Sequence, residues 1–398
     1  VEQTDVVVAS PAWRKAAAER LTAMIDHLES EFGPHMAGYH PTGQNTGEWF
    51  YQNTWGPALN GYSESSKLAW RRWLESRYEN DQDLQAAWQA SDVTLDEAQI
   101  PSAEMRRGAP YGLLRDPVRE RVLIDFAEFQ QEMMADCVCH FAHTVRHATQ
   151  GRKLVVFFYG YTFEFAAIRD GAAIAGHYGL RRVLDSPDID VLCSPISYFD
   201  RALGGSGPAM TAAESVTLAG KMWLVEDDTR TYLGTGKFPG WQDGVDNIRD
   251  TNALLLRNTG QCALRNFATW WRDLGGTGWF DDPRMWAEMK RLEKLDQSLL
   301  ERPRAFRPQV AAVVDEKSMI RAAGGAYRLT RPLVYESRQP LGRMGTAYGQ
   351  YLLDDVLAGK VDAKMLVFLS AWALSADQRE QVLQATRDRV AVWCYAPG

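Results

Sequence analysis

Short runs of β-branched and aromatic residues alternate along the first 300 residues with longer segments in which apolar residues recur at helical spacing. This alternation is typical of β/α units, in which helices connect the strands of a mainly parallel sheet. The pattern predicts six strands, in chain order 5–9, 36–40, 154–161, 189–195, 221–227 and 276–281.

The first predicted helix carries clear start signals. Ser10 is a favourable N-cap residue, and Pro11 suits the first helical position. Apolar residues then recur at helical spacing from Trp13 to Leu28. After the second strand a long insertion occupies 55–116, and such excursions from a barrel strand commonly shape a substrate pocket.

The strand count bears on the fold class. Eight strands close a (β/α)8 TIM barrel, and the pattern offers six up to residue 281. Because the chain opens almost directly in a predicted strand, we expect a TIM barrel that lacks its first two β/α units through N-terminal truncation. An unusual open barrel is the alternative.

A second region begins after Glu301, where the segment RPRAFRP carries two prolines and three arginines and predicts a linker over 301–309. Beyond it, four predicted strands at 310–316, 333–337, 364–372 and 390–397 alternate with predicted helices at 348–358 and 376–387. We therefore expect a catalytic (β/α) barrel over 1–300 and a smaller, flavodoxin-like α/β domain over 310–398. Because the chain stops at a strand end, we expect this domain to be C-terminally truncated.

Composition and charge limit the classes of partner that the chain is expected to bind. The formal net charge is −7 and no block of basic residues occurs, which argues against nucleic acid or an anionic membrane as partner. No apolar run reaches the eighteen or so residues that a membrane span needs. No signal-peptide pattern follows Val1, so a cytoplasmic location is expected.

The aromatic residues and cysteines are less informative about function. The 14 Trp, 15 Tyr and 15 Phe could stack on the apolar faces of sugars, although aromatic residues fill cores by default. The odd number of scattered cysteines predicts reduced thiols rather than a disulfide framework; they are Cys137, Cys139, Cys193, Cys262 and Cys394.

Two glutamates carry most of the functional information. Glu48 lies in GYHPTGQNTGEWFY and Glu226 in KMWLVEDDTR, each after an apolar run where a strand is expected to end. They are separated by 226 − 48 = 178 residues. A barrel enzyme brings such distant carboxylates together across its mouth, and a pair of carboxylates is the requirement of glycoside hydrolysis.

The surroundings suggest different roles for the two carboxyls. Glycines and Trp49 flank Glu48, an apolar setting that would raise its pKa and keep it protonated as a general acid/base. Glu226 is followed by Arg230, whose guanidinium could support an ionised nucleophile. The competing interpretation is that either glutamate caps a helix or joins a surface ion pair.

Several segments resemble known enzymes. The Glu48 segment, the run LAWRRWLESRYENDQDLQAAW at 68–88, FFYGYTFE at 157–164, IDVLCSPISY at 189–198 and VEDDTRTYL at 225–233 are together similar to β-galactosidase-like glycoside hydrolases of family 42 and their relatives in the clan of retaining (β/α)8 enzymes. The family spacing of aromatic residues and leucines after the acid/base strand is matched at Trp73, Leu74, Tyr78, Leu84 and Trp88.

The resemblance implies an acid/base glutamate at the end of the fourth barrel strand and a nucleophile at the end of the seventh. With two units missing, 36–40 becomes the fourth strand and 221–227 the seventh, which agrees with the roles of Glu48 and Glu226. One departure is Gly47, which stands where the family usually has an asparagine that binds the sugar 2-hydroxyl, with Asn45 two residues earlier.

Other residues at predicted strand ends are candidate substrate contacts, through hydrogen bonds or stacking on a sugar, although ordinary barrel packing competes for each. Asn45 and Trp49, on either side of Glu48 in its loop, are also candidates. The full set is His40, Asn45, Trp49, Tyr159, Tyr161, Tyr198, Arg230 and Trp279.

The resemblance implies a retaining, exo-acting β-glycosidase of β-galactosidase type that acts on a small carbohydrate and needs no metal or cofactor. It also implies that the second domain is a trimerisation domain and the protein a homotrimer. The alternative function is a catalytically silent carbohydrate-binding or assembly protein on the same scaffold.

Overall fold

The computed structural model describes residues 7–56, 58–234, 245–301 and 304–398. Over these ranges the chain forms two parallel sheets. The first, with strand order β1-β2-β3-β4-β5, comprises β1 Gly38–Tyr39, β2 Leu154–Phe158, β3 Val191–Pro195, β4 Met222–Asp227 and β5 Ala268–Trp271. The second, with order β7-β6-β8-β9, comprises β6 Val310–Val314, β7 Tyr348–Leu352, β8 Met365–Phe368 and β9 Val390–Trp393.

The α-helices of the described residues connect and cover these strands. They are α1 Pro11–Phe32, α2 Glu64–Arg77, α3 Asp81–Trp88, α4 Ala103–Arg107, α5 Arg121–Ala148, α6 Leu180–Leu184, α7 Ala213–Leu218, α8 Ile248–Arg265, α9 Pro283–Leu300, α10 Glu316–Ile320, α11 Tyr327–Thr330, α12 Arg338–Arg343, α13 Leu353–Leu357 and α14 Ala376–Ala385. Short 3-10 turns occupy Gly33–His35, Glu164–Ala167 and Ala172–Ile174, and a π-helical turn Arg331–Tyr335.

The first sheet is the consecutive parallel arrangement that the β/α pattern predicts. Every neighbouring pair is parallel, and β3 and β4 are paired along five residues from Val191 opposite Met222 to Pro195 opposite Glu226. β1 approaches β2 so closely that a Cβ on Gly38 would lie 2.4 Å from the carbonyl oxygen of Leu154. Glycine is therefore needed there, and the sheet carries the carboxyl ends of five strands along one edge.

Of the six strands predicted in the first 300 residues, two are wrong, because the described residues at these positions form turns. Residues 7–9 of the predicted first strand form a turn, closed by the Ser10 amide donating to the Val7 carbonyl, and Ser10 then caps α1 as predicted; residues 5 and 6 lie outside the described residues. The predicted strand 276–281 is a turn organised by the Asp273 carboxylate, which accepts the amides of Gly278 and Trp279. The strand lies earlier, at β5.

Three of the four strands predicted beyond the linker are confirmed as strands, at β6, β8 and β9. The predicted strand 333–337 is helical, and the strand lies instead at β7, inside the predicted helix 348–358. A short apolar run such as LVYES does not distinguish strand from helix by itself, and Pro332 favours a helical start. The parallel α/β architecture is observed, while the flavodoxin-like classification and the domain boundaries stay predictions.

The two sheets share one hydrophobic core. The largest cluster of buried residues joins Val155 and Trp223 of the first sheet to Val314 and Leu352 of the second. Buried polar contacts also cross between them: the Glu316 carboxylate accepts the amides of Leu180 and Arg181, at 2.6 and 3.0 Å. The second sheet therefore packs firmly against the first.

All five cysteines are free, and three of them are buried, in agreement with the prediction of reduced thiols.

Candidate active site

The loop that follows β1 presents Glu48. It is a tight double turn, in which the Trp49 amide donates to the Gly43 carbonyl and the Glu48 amide to the Asn45 carbonyl, both at 3.0 Å. Gly47 has φ 86°, in the left-handed region that glycine adopts at little cost. The turn therefore explains a glycine immediately before Glu48.

The Glu48 carboxyl accepts two side-chain hydrogen bonds. The Tyr161 hydroxyl donates to Oε1 at 2.8 Å, and the Thr46 hydroxyl donates to Oε2. Burial raises the pKa of Glu48, and these two hydrogen bonds oppose that rise. A raised pKa is what a general acid needs, as predicted from the apolar flanks of Glu48.

Glu226 is the penultimate residue of β4 and is only 2% exposed. Its Oε2 lies 2.9 Å from Nη1 of Arg272. Burial raises the pKa of Glu226 to about 7, the Arg272 guanidinium opposes this, and the charges of Asp228 and Glu48 add to it. The guanidinium beside Glu226 is therefore that of Arg272 rather than that of Arg230.

The two glutamates belong to one electrostatic cluster. The Arg272 guanidinium is stabilised first by Glu226 and then also by the charges of Asp228 and Glu48. Burial raises the pKa of Tyr161, and the charges of Glu48 and Glu226 raise it further. Because Tyr161 and Arg272 each interact electrostatically with both glutamates, the four side chains lie in the same site.

A buried polar group adjoins the cluster. Asp228 is fully buried and accepts from the Tyr198 hydroxyl at 3.1 Å and from Nη1 of Arg201 at 2.5 Å. The Arg201 guanidinium also lies over the Tyr198 ring, 4.4 Å from its centroid. Tyr198 is 41% exposed, so its ring combines a fixed hydroxyl with an accessible face.

His40 also lies at the cluster. Its ring packs against Phe158 with centroids 4.4 Å apart, and burial, followed by the charge of Arg272, lowers its pKa to about 4. Nε2 of His40 is buried and makes no hydrogen bond within the described residues. A neutral ring nitrogen of this kind is suited to a substrate hydroxyl.

Four other predicted contacts have structural roles in the described residues. Trp49 is buried beneath the loop and donates its Nε1 proton to the Pro41 carbonyl at 2.9 Å. The fully buried Tyr159 donates its hydroxyl to the Gly176 carbonyl at 2.8 Å. Arg230 lies over the ring of fully buried Trp279, 5.5 Å from its centroid. Substrate contacts of these residues, and of Asn45, stay predictions.

Two residues of the cluster, Arg272 and His177, were not predicted from the sequence. Arg272 directly follows β5, and its amide donates to the Asp227 carbonyl at 3.0 Å, which aligns it with the end of β4. A strand placed at 268–271 would have revealed it as a strand-end residue. His177 contacts the main chain of Glu48 but lies in a loop between short helical turns, where no sequence pattern marks it.

Neither metal ligation nor a membrane span is indicated by the part of the chain that the structure describes. It contains no group of three or more His, Cys, Asp or Glu side chains placed to hold a metal ion. None of its helices is both long and apolar enough to cross a bilayer.

Residues 2–175 match the sequence model of glycoside hydrolase family 42, which is described as Beta-galactosidase. The match confirms the family resemblance predicted from the sequence, and its range includes Glu48 and the insertion after β1. No curated protein sequence matches the chain.

Solved structures support the fold. The chain is similar to a beta-galactosidase from the psychrophilic Marinomonas ef1 (TM-score 0.63, 12% identity, 97% of this chain and 59% of that one) and to a polyextremophilic beta-galactosidase from the Antarctic haloarchaeon Halorubrum lacusprofundi (0.64, 16%, 97% and 56%). It is also similar to an apo exo-carrageenase of family 42 from Bacteroides ovatus (0.60, 13%, 97% and 52%). The chain thus spans between 52% and 59% of the length of these three proteins.

Proposed function

We propose that this chain carries the catalytic carboxyl pair of a β-galactosidase-like glycoside hydrolase that acts by retention and removes sugars from chain ends. The observation that supports this most strongly is the single cluster in which Glu48, Glu226, Tyr161 and Arg272 meet. The family match over residues 2–175 agrees with it.

In the proposed reaction, the Glu226 carboxylate attacks the anomeric carbon while the glycosidic C–O bond breaks. Glu48 gives its proton to the departing oxygen, which leaves as an alcohol, and the sugar remains esterified to Glu226. Glu48, now ionised, takes a proton from water as the water oxygen attacks the same carbon. The ester bond breaks, Glu226 is released as a carboxylate, and two inversions retain the anomeric configuration.

The electrostatics of the site are compatible with these roles. Burial raises the pKa of both Glu48 and Glu226, so that one of the two carboxyls can hold a proton while the other is ionised. The ion pair with Arg272 favours the charge on Glu226. Glu48 then keeps the proton, with the Tyr161 hydroxyl fixing the direction of its carboxyl.

The proposed substrate is a small carbohydrate with a terminal β-galactoside or a related sugar. His40 and Tyr198 are the proposed contacts that adjoin the cluster, through a neutral ring nitrogen and an accessible aromatic face. Gly47 in place of an asparagine means that the sugar 2-hydroxyl requires another partner. The homotrimer rests on the family resemblance alone and stays a prediction.

Hydrolysis of 4-nitrophenyl β-galactoside and related aryl β-glycosides tests the proposal, with the anomeric configuration of the first product followed by NMR. We expect retention. Glu226→Gln should lower kcat by about 10⁴-fold or more, because the nucleophile is lost. Glu48→Gln should lower it by about 10²- to 10⁴-fold for substrates with poor leaving groups.

Glu19→Gln, on the exposed face of α1, is the matched control and should behave as wild type. Hydrolysis with inversion, or an active Glu226→Gln enzyme, would contradict the mechanism. Sugar binding without any hydrolysis would favour the alternative, a catalytically silent carbohydrate-binding protein.

A further inference from the structure

His177 is a fully buried imidazole to which the proposed reaction assigns no role. It follows Gly176, whose φ is 85°, in the segment between the turn Ala172–Ile174 and α6. Aromatic rings surround it, with centroids at 4.6 Å for Tyr159, 4.8 Å for Tyr161 and 4.9 Å for Phe165. An enclosed imidazole of this kind needs partners for both ring nitrogens.

Both nitrogens have main-chain partners that belong to the candidate site. Nδ1 accepts the amide protons of Gly160 and Tyr161, each at 3.1 Å. An acceptor nitrogen carries no proton, so the proton of the neutral ring lies on Nε2. Nε2 lies 3.1 Å from the carbonyl oxygen of Glu48, to which it donates.

The ring is held in this one tautomer. Burial lowers the pKa of His177 to about 3, so the imidazole is neutral near neutral pH. If Nδ1 carried the proton, its N–H would point at the amide protons of Gly160 and Tyr161. None of these three N–H groups would then have an acceptor. His177 therefore acts as a fixed bridge rather than as a proton carrier.

The bridge closes a ring of contacts between two residues of the site. His177 joins the Glu48 carbonyl to the Tyr161 amide, and the Tyr161 hydroxyl donates to the Glu48 carboxyl at 2.8 Å. The Glu48 loop needs such support, since Thr46 and Trp49 have φ of 52° and 58°, values that residues with side chains adopt at a cost.

We propose that His177 is a positioning residue, which fixes the Glu48 carboxyl against Tyr161 by holding the main chain of both. This inference rests on the proposed role of Glu48 as the general acid/base. It adds a residue on which proton donation to the leaving group depends, although His177 touches neither the substrate nor the reacting carboxyl.

Two substitutions separate the halves of the bridge. In His177→Asn the short amide oxygen can still accept from Gly160 and Tyr161, but the side chain does not reach the Glu48 carbonyl. In His177→Gln the longer amide can still donate to Glu48. Tyr178→Phe is the matched control, because it removes a buried hydrogen bond from the next residue, to the Thr162 carbonyl, without touching the bridge.

The kinetic readout is the dependence on the leaving group. For phenyl β-galactoside, whose phenolate needs acid assistance to leave, His177→Asn should lower kcat/KM, which reports the first step alone, by about 10- to 100-fold, a part of the 10²- to 10⁴-fold that general acid catalysis contributes. For the 2,4-dinitrophenyl glycoside the loss should be under about threefold, and His177→Gln should recover part of the phenyl activity. Equal losses on both substrates, as general structural damage would give, or no loss on either, would overturn the proposal.

A second readout does not need activity. In protein labelled with ¹³C at the glutamate carboxyls, with the Glu48 signal assigned from Glu48→Gln, the Glu48 titration should move to lower pH in His177→Asn, because burial is the largest cause of the raised pKa and the added solvation of a loosened carboxyl outweighs the lost Tyr161 hydrogen bond. Tyr178→Phe should leave it in place. An unchanged Glu48 titration in His177→Asn refutes the positioning role, whereas an inactive wild type with the expected shift refutes only the proposed hydrolase.

Discussion

Burial and one guanidinium act on the charge of Glu226 in opposite directions. The 2% exposed carboxyl is desolvated, which favours its neutral form, while Arg272 at 2.9 Å favours the anion. Burial prevails, so that the pKa of Glu226 is raised to about 7. A nucleophile must be ionised, and the Glu226 anion therefore becomes the major form only above about pH 7.

Arg272→Met tests this balance. Without the guanidinium the Glu226 anion loses its main counter-charge, so the pKa rises further and the acid limb of kcat/KM should move up by roughly one pH unit. We expect the wild-type acid limb near pH 7, as set by Glu226. The measurement is the pH profile of kcat/KM on an aryl β-galactoside.

Arg291→Met is the control for this profile, since Arg291 pairs with Glu288 on the surface of α9. It should leave the acid limb in place. An acid limb that is the same in Arg272→Met and wild type would show that a group other than Glu226 limits the rate at low pH.

At the residue scale, the fold brings together five of the residues singled out from the sequence, and their roles stay predictions. Glu48, Glu226, His40, Tyr161 and Tyr198 lie in or beside one cluster. Apolar runs that end in a charged residue reveal such positions, because the carboxyl ends of parallel strands meet at one edge of the sheet. Main-chain hydrogen bonds like those of His177 leave no pattern in the sequence.

Among the elements, the start of α6 depends on a carboxyl from the second sheet region. Glu316, the first residue of α10, is buried and accepts the amides of Leu180 and Arg181. Burial raises the pKa of Glu316 to about 8, and the charge of Asp354 adds to the rise. Because the folded-state pKa lies above the ordinary value, the stability linked to this group is fully present below about pH 4.5 and is lost as the pH rises through about 8.

Glu316→Gln removes this titration while keeping an acceptor for one amide. Relative to wild type, the free energy of unfolding of the variant should therefore increase between pH 5 and pH 9, by an amount on the order of 4 kcal/mol. Urea unfolding at both pH values measures it. The exposed Glu380→Gln on α14 should show no such relative change, and an equally flat Glu316→Gln would mean that Glu316 does not titrate in this range.

Element prediction succeeded where periodicity and flanking signals agree. Ser10 and Pro11 start α1, and short runs of β-branched, aromatic and other apolar residues give β2, β3 and β4. It failed for β5 because Trp270 and Trp271 sit in a short run after the α8 cap at Asn266, which has a left-handed φ of 59°. It failed for β7 because tertiary burial, rather than local pattern, makes Tyr348–Leu352 a strand.

For the whole molecule, the coupling of two parallel sheets through one core is the main architectural result. Besides Glu316, the fully buried Arg338 of α12 pairs with Glu164 of the first region at 3.1 Å. Composition and the β/α alternation predicted a parallel α/β protein but could not reveal this packing, which depends on side chains far apart in the chain. The prediction of two missing β/α units stays open, with β1 and β5 at the edges of the described first sheet.

In the proposed mechanism, Glu226 forms a covalent bond to the sugar, while Glu48 first donates a proton and then accepts one. Trapping with 2,4-dinitrophenyl 2-deoxy-2-fluoro-β-galactoside reports on that bond itself, because the fluorine slows both formation and hydrolysis of a glycosyl-enzyme, whereas the activated leaving group speeds its formation alone. After proteolysis and peptide mass spectrometry, we expect one fluorosugar per chain, attached to Glu226. A label on Glu48 or on another residue, or turnover of the parent galactoside with inverted configuration and no label, would contradict it.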